Sequence, residues 1–284
     1  MKISNTGLMA FLATASSLNI TAAAKNLGIT QSALSQRIAL LEQDLEVTLF
    51  IREPRGLKLT ERGEKLLHFA LLNQKIEDEF LLELNGTTNE LAGTIRIAAY
   101  SSILRSVIIP AIAPFIRNHP RVQISFRSYE VSELPDILNT AKADIIFTDY
   151  IWEKSGIINF KCGIEEYVVI QSAKLPSILD NFLDHDSSDN LTEDFFRHQL
   201  KTPKKLNRSY MGDVYGIIDG VEKGLGKAVV SKHLIRNNKA IEIKDGFKKY
   251  TRPVVMNYFD QPFYSKLMKN VILELGKKCE FFLS

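Results

Sequence analysis

The sequence predicts an α+β chain of two unlike parts, an N-terminal winged helix-turn-helix and a C-terminal two-lobed α/β domain, joined by a long linker helix. Three stretches carry that expectation. Residues 20–45 read ITAAAKNLGITQSALSQRIALLEQDL, two helical patterns parted by one glycine. Residues 60–89 hold a single apolar seam, and from Leu91 onward strand and helix patterns alternate. The expected boundaries are 1–60 for the winged domain, 61–90 for the linker and 91–284 for the last domain. Within that domain one lobe takes about 91–162 plus 252–284, and the other about 163–251.

The chain opens on Leu8, Phe11, Leu12 and Ala15, spaced as one face of a supporting helix. Polar Ser4-Asn5-Thr6 interrupts the start and no cleavage site is seen after it, so Met1–Leu18 does not read as a signal peptide. Thr21 is the expected N-cap of a second helix formed by Ala22, Ala23, Ala24 and Leu27. Gly28 stops it, since glycine takes the left-handed cap conformation at little cost. Thr30 caps the third helix, on which Leu34, Ile38, Leu41 and Leu45 share one face. Ser32, Gln36 and Gln43 share the other, with Ser35 at its edge. The hydroxyls and amides of Thr30, Gln31, Ser32, Ser35 and Gln36 suit contact with base edges in a major groove.

An ordinary helical hairpin would show the same two helices, with a polar face meeting only water. Residues 49–59 are more specific. Leu49-Phe50-Ile51-Arg52, a Glu53-Pro54-Arg55-Gly56 tip and Leu57-Lys58-Leu59 make a two-stranded wing. Arg52 and Arg55 then sit where a phosphate backbone or an adjacent minor groove passes.

These residues resemble the LysR-type transcriptional regulators. The matched pattern includes Phe11, Ala22-Ala23, Leu27, Gln31-Ser32-Ala33-Leu34-Ser35, Ile38, Leu41-Glu42, Leu45, Leu49-Phe50, Arg52, Leu59-Thr60 and Gly63. It is dense over about the first 65 residues and looser beyond. Glu46 departs from it, standing where the family usually has glycine, so a differently shaped turn is expected after the reader helix. The resemblance implies binding to double-stranded promoter DNA, self-association as a homodimer or homotetramer, and an effector-binding C-terminal domain.

Bulk charge decides little. The net charge is +3, and residues 1–60 carry six bases against four acids, so placement matters more than total. With no apolar run of ~18 residues and only Cys162 and Cys279, the chain reads as cytoplasmic. Thr60 caps the linker helix, where Leu66, Phe69, Asn73, Ile76 and Phe80 recur in steps of three and four. That is a seam for a paired helix, with one polar position to fix register. A helix packed only on its own chain is the plainer alternative. Gly86-Thr87-Thr88-Asn89 ends it as a hinge.

Beyond the hinge, Thr94–Ala98, Val122–Ser128 and Asp144–Phe147 read as strands. Helices from Ser102 to about Arg117 and from a Ser132 cap to Thr140 separate them. A second set runs Glu166–Gln171, a helix Asp213–Lys223 and Lys227–Val230. Arg252–Tyr258 returns to the first half, and a helix from Pro262 to about Phe282 closes the chain. Two α/β halves joined by crossing strands resemble the periplasmic-binding-protein architecture, and the family's effector domain has that shape. Ligands bind such folds at strand carboxyl ends. The candidates there are Ser101, Ser102, Tyr129, Thr148, Asp149, Ser209 and Tyr210. Two serines at a helix start suit a small polar effector with an anionic group, and Asp149 suits an amine or hydroxyl.

Other features take plainer readings. Residues 183–189, LDHDSSD, lack the glycine and closing glutamate of a calcium loop and read as solvated. The five histidines show no zinc spacing, and no cofactor or metal is expected. A ligand-binding module or carrier without a DNA role would leave residues 20–60 without purpose. An enzyme on the same fold would need a nucleophile elbow or dinucleotide loop, and the sequence has neither.

Overall fold

The computed structural model describes residues 3–54, 56–84, 91–175, 181–199 and 206–283, side chains 75, 79 and 82–84 excepted. Arg55 and the Gly86–Asn89 hinge lie outside the described residues. The head begins with α1 (Asn5–Ser17), capped by Ser4, whose hydroxyl accepts from Gly7 N. α2 (Ile20–Asn26) is capped by Asn19 rather than Thr21. The Asn19 side-chain oxygen accepts from Ala22 N at 3.0 Å, and Thr21 lies one residue inside the helix. Gly28 ends it at φ +65°. α3 (Gln31–Leu45) starts at Thr30, whose hydroxyl accepts from Ala33 N at 3.2 Å. Its inner face packs Leu34 and Ile38 against Ala10, Ala23 and Ala24, while Leu41 joins Phe11 and Leu49.

The turn after α3 is not reshaped by Glu46. That residue adopts φ +55°, the left-handed cap conformation glycine would take, and its N–H bonds Gln43 O and Glu42 O. Glu46 therefore carries backbone strain of about 1–2 kcal/mol in place of a glycine. Glu42 secures the next segment, accepting from Leu49 N at 2.6 Å and Phe50 N at 3.3 Å. The wing forms as expected, β1 (Phe50–Glu53) antiparallel to β2 (Gly56–Leu59), with Arg52 opposite Leu57. α4 (Glu61–Leu84) begins after the Thr60 cap. Gly63 is required there, because a Cβ would stand 2.2 Å from Leu49 O.

The larger domain starts with β3 (Gly93–Ala99). A continuous helical run comes next, made of α5 (Ser101–Ile103), a π-helical turn at Leu104–Ile108 and α6 (Ile109–Asn118). β4 (Val122–Ser128), α7 (Leu134–Asn139) and β5 (Ile145–Thr148) complete a parallel β4-β3-β5 set. α7 begins behind Glu133 with no side-chain cap, so Ser132 does not serve as one. β6 (Ile157–Ser172) is far longer than Glu166–Gln171, because it runs through both lobes. The expected lobe boundary at 162/163 falls inside it.

Lobe two holds β7 (Phe182–Asp184), α8 (Leu191–His198), β8 (Arg208–Tyr210), α9 (Val214–Glu222), β9 (Ala228–Ser231), a 3-10 turn at Lys232–Ile235 and β10 (Ile241–Ile243). β11 (Tyr250–Phe259) then returns antiparallel between β5 and β6, and α10 (Lys266–Leu283) packs back on lobe one. The solvated-loop reading of residues 183–189 fails at its start. Leu183 and Asp184 are buried in β7, and Asp184 ion-pairs Arg208, which also reaches Glu193 at 2.9 Å. Cys162 and Cys279 are buried against each other, and that contact together with burial pushes the Cys279 thiol up, away from reactive thiolate.

α4 touches lobe one directly. His68 stacks on Phe259 with ring centroids 3.5 Å apart, and its Nε2 lies 3.2 Å from Asn139 O. Glu64 pairs with Lys154 at 2.9 Å, and Lys154 also donates to Asn139 at 2.7 Å.

Candidate functional site

Two surfaces stand out, and the first is the outer face of α3. Gln31, Ser32, Ser35 and Gln36 are all exposed on its first two turns, while Leu34 and Ile38 hold the helix from behind. Its N-terminal end is ordered by side chains. Thr30 Oγ1 lies 3.0 Å from Ser32 Oγ, and Gln31 Nε2 donates to Thr21 Oγ1 at 2.8 Å. Gln31 therefore ties α3 to α2, and Ser32, Ser35 and Gln36 remain directed outward. Arg52 is exposed on the wing beside them. A small polar helix face flanked by a basic hairpin has the shape and chemistry of a duplex-reading surface.

The second is a cleft between the lobes, a cavity of about 660 Å³, large enough for a small metabolite. Ser101, Ser102, Tyr129 and Asp149 line it, as strand-end placement led one to expect. Thr148, Ser209 and Tyr210 do not. Thr148 is fully buried, donating to Tyr150 O at 2.7 Å and accepting from Asn257 Nδ2 at 2.8 Å. Ser209 faces the other way along β8 and accepts from Asn181 at 2.8 Å. Tyr210 is exposed, with the Arg208 guanidinium 5.5 Å from its ring centre.

The cleft contains a cation that sequence reasoning missed. Arg252, on β11, donates to Asp149 of lobe one at 2.7 Å and to Asp194 of lobe two at 3.0 Å. Burial opposes its charge, but the bonds to Tyr250 and Asp149 outweigh it and hold the guanidinium firmly protonated. Asp149 is thus already paired. No local motif marks Arg252, since its partners stand 103 and 58 residues away.

Beneath the cleft lies a second missed cluster, centred on Glu165 in β6, with no exposed surface. Its carboxylate accepts from Tyr100 at 2.9 Å, Tyr167 at 2.7 Å, His233 Nε2 at 2.9 Å and from Ser231. Burial raises its pKa, yet the His233, Ser231 and Tyr167 bonds prevail and leave it below the usual carboxylate range. Tyr100 belongs to lobe one, Ser231 and His233 to lobe two, so one carboxylate knots the halves together. His233 Nδ1 also lies 2.8 Å from Ser106 Oγ. A serine, a histidine and a carboxylate in line resemble a hydrolytic triad, but Ser106 Oγ donates to Ser102 O at 2.5 Å. The Ser102 carbonyl thus competes with the imidazole for the one hydroxyl proton, and the imidazole is buried.

Comparison with known proteins finds family models over both parts of the chain. Residues 6–64 match the model of bacterial regulatory helix-turn-helix proteins of the lysR family, and residues 88–278 match the LysR substrate binding domain. The HTH-type transcriptional regulator PgrR of Escherichia coli is 34% identical over 119 residues, 41% of this chain and 39% of that protein. The curated relatives of this kind are therefore spanned over only about two fifths of their length. Among solved structures, ArgP from Mycobacterium tuberculosis superposes with a TM-score of 0.78 at 18% identity, covering 97% of each chain. Full-length LysG from Corynebacterium glutamicum with bound effector Arg gives 0.76 at 17% identity, over 96% of this chain and 97% of that one. At such identities the likeness is one of fold.

Proposed function

The chain belongs to the LysR family of bacterial regulatory helix-turn-helix proteins, and from that premise we propose that it is a sequence-specific transcriptional regulator controlled by a small polar effector. The observation that carries this is the presence, on one chain, of an outward polar helix face and an interlobe cleft, linked by the packing of α4 on lobe one. The protein acts by binding; no reaction is assigned to it. Ser32, Ser35 and Gln36 read base edges, with Thr30 and Gln31 fixing the helix end. Arg52 and Arg55 follow the phosphates. The effector lies in the cleft with its anionic group at Ser101 and Ser102, where the first turn of the helical run has no side-chain cap. It changes DNA affinity only through a preference between two arrangements of the lobes.

Self-association follows from α4. Phe69, Ile76 and Phe80 remain 45%, 40% and 57% exposed along one seam, with Asn73 between them, and a second copy of α4 covers them. Replacement of Asn73 by Leu should strengthen pairing and relax its register, read by sedimentation and by the preferred spacing of half-sites.

Gel-shift titration with promoter fragments tests the whole reading. Gln36→Ala or Ser35→Ala should cost about 1–3 kcal/mol at the specific site and spare non-specific binding. Arg52→Ala should weaken binding to every sequence and reduce the salt slope by about one. A chain that binds no duplex at low salt would leave only a ligand-binding module.

A further inference from the structure

The cleft is more negative than an anionic effector alone would suit. Arg252, Asp149 and Asp194 form a cluster that closes on itself, since Asp194 also pairs with Arg197 at 2.6 Å. Two guanidiniums and two carboxylates balance there. Three further carboxylates line the cavity, Glu130 on lobe one and Asp186 and Asp189 on lobe two. Among the described residues none of the three has a lysine or arginine side-chain partner. Asp186 Oδ1 accepts from Ser188 N, Ser188 Oγ and Asp189 N, bonds that favour its ionised form. Asp189 accepts from His185 N and Leu191 N. Arg208 meets this loop at the Asp189 carbonyl oxygen. Across the cleft from Glu130, His185 Nδ1 lies 3.9 Å from its carboxylate.

Like charges therefore stand on opposite lips of one cavity, and drawing the lobes together raises their repulsion. A cation between the lips reverses that sign. The chain already illustrates the preference, because the cleft walls hold one guanidinium of their own between carboxylates from opposite lobes. An incoming anion must share Arg252 with the two carboxylates that already balance its charge, and drawing it away from either strands a partly buried carboxylate. We propose that the effector is a small organic molecule of net positive charge, whose amine or guanidinium group lies between Glu130 and the Asp186–Asp189 loop.

This rests on the cleft being the effector site, and any anionic group the ligand carries still points to Ser101 and Ser102. Closure is then driven by neutralisation of the two lips, and ligands with equal shape but no cation leave the cleft open.

The test is thermal shift of the full chain in low salt with four probes: agmatine, arginine, glutamate and succinate. Agmatine and arginine should raise the melting temperature, while glutamate and succinate should not. A larger shift with arginine than with agmatine would place its carboxylate at Ser101 and Ser102. Glu130→Gln combined with Asp186→Asn should weaken the response to the cations by about tenfold, the combined effect of two solvent-accessible ion pairs. Stabilisation by glutamate or succinate alone overturns the charge assignment while leaving the cleft intact as the site. Equal cation responses in wild type and double variant overturn the placement between the lips. Silence with all four probes overturns the proposal as well, and a Ser102→Pro variant then decides on the cleft itself, through any loss of ligand-dependent gel shift in crude metabolite extract.

Discussion

The two lobes follow one strand-and-helix plan and are held together by different forces. Lobe one rests mainly on an apolar core, with one ion pair, Arg96–Asp144, at its margin. Ile145, Ile146 and Phe147 have no exposed surface, and both faces of their sheet are covered, by α5, α6 and α10 on one side and α7 on the other. Lobe two keeps an ionised pair inside, with Asp184 2% exposed and Arg208 reaching it, Glu193 and the Asp189 carbonyl oxygen. The contacts that α4 makes through Glu64 and His68 fall on lobe one. One half is thus joined to the N-terminal head through α4, and the other keeps a buried ion pair and is set on two crossing strands. On the proposed function, a ligand that reorients lobe two acts on the head through lobe one.

The sharpest contrast should come from Arg208→Ala. It leaves Asp184 buried without its cation, at a cost of about 3–5 kcal/mol confined to lobe two. Trp152, the one tryptophan in the chain, packs in lobe one and reports on that half. Urea unfolding followed by circular dichroism should then begin before the tryptophan fluorescence changes. Coincident transitions would mean that the lobes unfold as one unit.

Glu165→Gln attacks the knot between the halves. It places an amide N–H against hydroxyl and imidazole donors, for a loss of about 3 kcal/mol shared by both lobes. Because the native carboxyl lies below its ordinary range, its stabilisation is complete above the unfolded value near 4.5 and is lost as pH falls through the lower native value. The variant should therefore show a flatter acid limb in thermal melts.

His68 tests the join between head and lobe one. Burial lowers its pKa from 6.5 to about 4. Between those values the unfolded chain binds a proton that the native chain does not, so the contribution is present above pH 6.5 and declines as pH falls toward 4. A loss of about 3 kcal/mol over that window is expected, and His68→Gln should remove the pH dependence. The smallest effect belongs to Glu46→Gly, which relieves left-handed backbone in the head and should gain about 1 kcal/mol without touching either lobe.

The head was legible in the sequence because its determinants are local. Thr30 and Ala33, or Leu34, Ile38 and Leu41, lie within a few residues of their partners, and helical spacing exposes them. Two details of the head were misread: the cap of α2, since Asn19 and Thr21 are both good caps, and the turn at Glu46, which takes the left-handed conformation a glycine would. The α/β alternation of lobe one was equally readable, with β4 bounded as expected. Lobe two was not. Its strands β7, β8 and β10 have three residues each, too few for a period to show. Ser101, Ser102, Tyr129 and Asp149 were found because strand ends mark the cleft, whereas Arg252 and Glu165 sit within long strands and acquire their roles from distant partners. Thr148 is buried with the rest of β5, a strand covered on both faces whose pattern shows no alternation to read.

The place of β11 also sets an order of events. It lies between β5 and β6, so the central sheet of lobe one cannot close until residues 250–259 exist. Between Thr148 and Tyr250 the ribosome must add the whole of lobe two. At roughly 5–20 residues per second that interval lasts on the order of 5–20 s. Throughout it, the edge of β5, with Ile145, Ile146 and Phe147, has no partner strand on that side. A nascent chain with that open apolar edge is a natural client for a chaperone, and synonymous changes that slow translation between residues 148 and 250 should raise the aggregated fraction without altering a single side chain.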